Sequence, residues 1–101
     1  MIYPFENKIP EIIRACRKYK VEKLYVFGSA TTEKYKKSSD YDFSVIMKDV
    51  TPIEQGNNFN NLYFELETIL ENKIDLVSER FLRNRFFIEE LNKTKQLLYA
   101  A

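Results

Sequence analysis

Four short runs rich in β-branched and aromatic residues, 23–27, 41–47, 73–77 and 96–99, alternate with stretches of helical periodicity, and few architectures accommodate that order in 101 residues. Strands interleaved with helices bury their apolar faces beneath those helices. The pattern therefore predicts an α+β fold, an α/β mixed sheet of about four strands in one layer flanked by helices, with residues 1–101 forming one small domain. Ile9, Ile12, Ile13, Cys16 and Tyr19 recur at helical spacing, and Pro10 sits where an early helical position tolerates it, which predicts a helix over 10–20. Thr51-Pro52-Ile53-Glu54 has the form of a capping box ahead of Phe59, Leu62, Tyr63, Leu66, Ile69 and Leu70. Gly56-Asn57-Asn58 weakens that first turn and leaves the start open as late as residue 58. A last helix is expected over 81–92 with Leu82, Phe86 and Leu91 inward, followed by a short closing strand at a sheet edge.

Composition removes several chemistries. The chain has no histidine, so a Ser-His-Asp triad, a Cys-His pair, a His-ligated zinc site and a histidine nuclease centre are excluded from its own residues. Acid and base work falls to carboxylates, Lys or Tyr. Cys16 is the lone cysteine, which excludes an internal disulfide, and its place on an apolar stripe predicts a buried, unreactive thiol. No run approaches the roughly 20 apolar residues of a membrane span, and the first residues lack the pattern of a signal peptide, so a cytoplasmic location is expected. The net charge of +1 leaves little grip on a long nucleic acid. Lys34, Lys36 and Lys37 nevertheless form a local basic cluster suited to a triphosphate.

Three carboxylates stand out. Asp40 and Asp42 are two apart, so on an extended chain both leave one face with Cα atoms about 6.6 Å apart, within reach of a shared pair of metal ions. Asp75 lies between Ile74 and Leu76, and alternation that sends those two inward turns Asp75 toward the opposite face. Crowded carboxylates repel and are costly to desolvate, and Mg²⁺, which keeps positions for water and phosphate oxygens, is their natural compensator. Gly28-Ser29, where the first strand ends, supplies a sharp turn whose amides and hydroxyl suit phosphate oxygens.

Gly28-Ser29, ten intervening residues, Asp40-Tyr41-Asp42 with an apolar strand after it, and later Ile74-Asp75-Leu76-Val77 together resemble the minimal nucleotidyltransferases of the DNA-polymerase-beta-like superfamily. The resemblance spans roughly residues 22–100 and implies a nucleotidyltransferase fold. It further implies that Gly28 and Ser29 bind the nucleotide phosphates, where Lys34 is the candidate to stand in for the family's basic residue, and that Asp40, Asp42 and Asp75 hold two Mg²⁺ ions, with Asp75 also drawing the proton from the attacking hydroxyl. ATP is the implied substrate, and the implied partner is a helical HEPN toxin, a ribonuclease, whose tyrosine receives AMP in a type VII-like toxin–antitoxin system. Thr31-Thr32-Glu33 departs from the small-residue, Arg or Lys, then Gly pattern of many relatives. That departure supports an alternative in which a weak or inactive antitoxin neutralises its partner by stoichiometric binding. Transfer to a small molecule such as an antibiotic is disfavoured because 101 residues hold no second domain for an acceptor pocket.

Overall fold

Residues 5–28 and 40–101 are described by the computed structural model. A 3-10 turn, Glu6–Lys8, leads into α1 (Ile9–Lys18), β1 (Val21–Phe27), β2 (Tyr41–Met47), α2 (Pro52–Leu70), β3 (Ile74–Ser78), a second 3-10 turn (Glu79–Phe81), α3 (Arg85–Thr94) and β4 (Gln96–Ala100). The sheet order is β3-β2-β1-β4, with β1 antiparallel to both β2 and β4 and β2 parallel to β3. A parallel pair cannot be joined by a tight turn, and the 19-residue α2 makes the crossover.

Alternation along β2 sorts the two faces. Tyr41, Phe43, Val45 and Met47 enter a core shared with Leu24 and Val26 of β1, Ile12, Ala15 and Cys16 of α1, and Leu62 and Leu66 of α2. Cys16 is fully buried there, and burial pushes its thiol up to about 12, as its place on the apolar stripe predicts. The other face of β2 carries Asp42, Ser44 and Ile46, and α3 lies over the neighbouring part of that face: the Phe87 ring meets Phe27 edge to face at 5.8 Å. Ser44 is fully buried on that side, and its hydroxyl finds no hydrogen-bond partner among the described residues.

Helix α2 starts at Pro52 despite Gly56 because the Thr51 hydroxyl accepts a hydrogen bond from the Glu54 backbone N–H at 3.2 Å. Removing it with Thr51→Ala is expected to cost about 1 kcal/mol, an unfolding midpoint lower by about 5 °C in a thermal scan. Two expectations need correction. Helix α1 ends at Lys18, short of residue 20, because Lys20 turns to a φ of +57° to enter β1. The last helix begins at Arg85 rather than 81: Glu79–Phe81 form the 3-10 turn, Leu82 is extended, and Asn84 caps the helix by accepting from the Phe87 N–H. The later start turns Phe86 outward, 79 % exposed, while Leu91 is buried as expected. Strand β4 closes one edge of the sheet, and among the described residues no helix is long and apolar enough to cross a membrane.

Candidate active site

The site is assembled by strand register. Phe27 at the end of β1 is the antiparallel partner of Asp42, and Asp42 is the parallel partner of Asp75. The three side chains therefore stand in a row on the face away from the α1–α2 core. Asp40 immediately precedes β2 and is exposed, as is Asp75, whereas Asp42 is partly buried. The Tyr41 N–H donates to the Lys73 carbonyl at 3.2 Å and fixes this end of the β2–β3 pair.

Burial, the Asp75 charge, a hydrogen bond with the Asp75 carboxyl and, least of the four, the Asp40 charge together raise Asp42 to about 6. A hydrogen bond between two carboxyls needs one proton between them; once both ionise it becomes repulsion. Among the described residues no three carboxylates close into a group that could hold a metal ion by themselves. Asp42 and Asp75 meet, and Asp40 contributes its field from outside the pair. Tyr63 of α2 also feels the cluster: burial, the Glu67 carboxylate to which its hydroxyl donates at 3.3 Å, and the charges of Asp75 and Asp40 all raise its phenol.

Gly28 follows β1 with a φ of +75°, and a Cβ placed there would sit 2.7 Å from Oδ2 of Asp42. The missing side chain lets the turn pass directly beside the carboxylate. Its N–H donates to the Thr94 hydroxyl at 3.0 Å, tying the turn to the end of α3. Lys95, the next residue, is held by Glu79 at 2.9 Å and lies over the Tyr25 ring, so the end of α3 is anchored to both β1 and the turn after β3. Ser29 and Lys34, expected on the phosphate site, and Lys36 and Lys37 beside them, lie outside the described residues.

Sequence patterns point to Gly28, Asp40, Asp42 and Asp75 but give no sign of Thr94, 66 positions from its partner Gly28. A cavity of about 390 Å³, lined mostly by apolar groups including Met47, Phe59 and Phe81, opens at the far ends of β2 and β3 and contains none of these residues.

The sequence profile of the family described as polymerase beta, nucleotidyltransferase matches residues 10–101, a span that takes in both strands of the carboxyl pair and the Gly28 turn. The chain belongs to that family. Solved structures agree in fold. One is a toxin–antitoxin complex with AMP-PNP, matched at a TM-score of 0.70 with 23% identity over 92% of this chain and 73% of the other. A complex of a tri-AMPylated Shewanella oneidensis HEPN toxin with MNT antitoxin matches at a TM-score of 0.63 with 20% identity over 96% and 73%. A protein assigned as a minimal nucleotidyltransferase matches at 0.64 with 22% identity over 89% and 88%. No curated protein sequence matches at a significant level.

Proposed function

We propose that this chain transfers AMP from ATP to a hydroxyl, in a reaction that requires Mg²⁺, and that the acceptor is a tyrosine of a HEPN-type toxin for which it serves as antitoxin. The observation that carries the reading is the Asp42–Asp75 carboxyl pair set against the Gly28 turn in a polymerase beta family chain. The toxin–antitoxin complexes of like fold, one with AMP-PNP and one with an AMPylated toxin, support the choice of nucleotide and partner.

The donor set fits a divalent ion. Two adjoining carboxylates that repel when ionised gain from a cation between them, and Mg²⁺ is commonly held by one or two carboxylates, with water and substrate phosphates completing its shell. Asp42 and Asp75 would hold it; a second ion would also need Asp40. When bound, such an ion offsets phosphate charge and makes the acceptor hydroxyl more acidic. The residues of the chain do the rest. Gly28 lets the phosphates approach the backbone, and Asp42 is held beside them by its strand. Asp75, exposed, takes the proton of the acceptor hydroxyl as its oxygen bonds to the α-phosphorus, and the bond to the bridging oxygen breaks to release pyrophosphate.

A second reading, neutralisation by contact alone, draws on the exposed rings of Phe81 and Phe86, 71 % and 79 % open, which suit a protein interface. One assay separates the two. With ATP labelled at the α-phosphate, label is expected on a tyrosine of the co-purified partner in Mg²⁺ and none after chelation. A partner that stays unlabelled in Mg²⁺ while its ribonuclease activity remains suppressed would establish contact as the mechanism.

A further inference from the structure

Phe27 and Phe87 form an aromatic pair beside the carboxylates that neither phosphate binding nor metal binding uses. Phe27 is the cross-strand partner of Asp42, and such partners project from the same face of a sheet with Cα atoms about 5 Å apart. Its ring is largely covered, 8 % exposed, and the Phe87 ring stands perpendicular to it at 5.8 Å and 85°. Phe87 itself is 37 % exposed. One aromatic is thus buried as a support, and a second, pinned against it, opens to solvent on the sheet face that carries Asp42.

The pair is held rigidly. Asn84 accepts from the Phe87 N–H at 3.0 Å and fixes the start of α3, while Thr94 on Gly28 and Lys95 on Glu79 fix its end. A ring ordered before binding loses little entropy when a ligand stacks on it. Phe81 and Phe86 are more exposed, and Phe81 lines the cavity with Met47 and Ser78 at the far ends of β2 and β3, away from the carboxylates.

We infer that the Phe27–Phe87 pair is the platform on which the base of the nucleoside triphosphate stacks, with Phe87 as the contacting ring. The inference rests on the nucleotidyl-transfer reading above and assigns it a base subsite. Every base has a π-face, so stacking supplies affinity for the nucleoside without strong choice among bases. The phosphates remain the charge of the carboxylate-bound cation and the Gly28 turn.

Calorimetric titration of the intact chain with Mg-ATP and, separately, with Mg-tripolyphosphate tests this, because only the first ligand carries a base. Phe87→Ala is expected to weaken Mg-ATP by about tenfold and to leave Mg-tripolyphosphate unchanged. Phe87→Leu, which keeps apolar bulk against Phe27 and guards against a folding defect, is expected to show the same selective loss, and Phe87→Tyr to retain wild-type affinity. Equal Mg-ATP affinity in wild type and Phe87→Leu, or a loss produced by Phe86→Ala instead, overturns the platform. Wild-type chain that binds tripolyphosphate as tightly as ATP also overturns it while sparing the catalytic reading. Wild-type chain that binds neither ligand overturns both.

Discussion

Asp42→Asn is expected to stabilise the metal-free chain while removing its response to Mg-ATP. The substitution keeps the shape of the side chain and deletes the charge that Asp75 and Asp40 oppose. Asp42 is raised from an ordinary 3.8 to about 6, so between those pH values the folded chain holds a proton that the unfolded chain has released. Stability accordingly falls as pH rises through that window, and the penalty is fully present above it. The whole displacement corresponds to about 3 kcal/mol, but the carboxylate is only partly buried, and solvent screening reduces the expected effect to about 1 kcal/mol, an increase of about 5 °C in Tm for Asp42→Asn at pH 7. At pH 4 the two proteins should melt together. Millimolar Mg-ATP should raise the Tm of wild type by binding the native state and leave the variant unmoved, and AMP transfer by the variant should fall by at least about a hundredfold. A variant that melts lower than wild type at pH 7 would show that Asp42 is held by favourable contacts rather than in electrostatic conflict.

That conflict is only half legible in the sequence. Alternation around Ile74-Asp75-Leu76 gives the direction of Asp75, and the run 41–47 gives β2 with its bounds intact. The pairing of Asp42 with Asp75 depends on the parallel register between β2 and β3, which is set by α2 packing across the sheet and has no local signature. The last helix shows the opposite failure. Phe81, Leu82 and Phe86 continue a plausible apolar stripe, and periodicity alone extends the helix back through them. Asn84, a good capping residue, is the local signal that prevails, and the shifted start exchanges the two adjacent aromatics: Phe87 meets the sheet and Phe86 faces solvent. The Thr94–Gly28 contact joins residues that only the completed fold brings together.

Gly28→Ala should produce the opposite change in stability from Asp42→Asn with the same loss of function. Two separate costs arise. A φ of +75° strains any residue with a Cβ by about 1 kcal/mol or more, and the new methyl would lie 2.7 Å from Oδ2 of Asp42, closer than nonbonded atoms tolerate. The carboxylate is the part able to give way, so it must rotate off the line it shares with Asp75. A displacement of about 1 Å at a reacting centre can cost about a hundredfold in rate, and Gly28→Ala is expected to lose that much AMP transfer while its Tm falls by about 5–10 °C. The two costs can be separated by a double-mutant cycle. In an Asp42→Ala background the clash has no partner, so adding Gly28→Ala should cost only the backbone strain, about 1 kcal/mol, and less than it costs in wild type. Equal penalties in both backgrounds would mean that the turn does not press on Asp42, and that Gly28 is required by its backbone conformation alone.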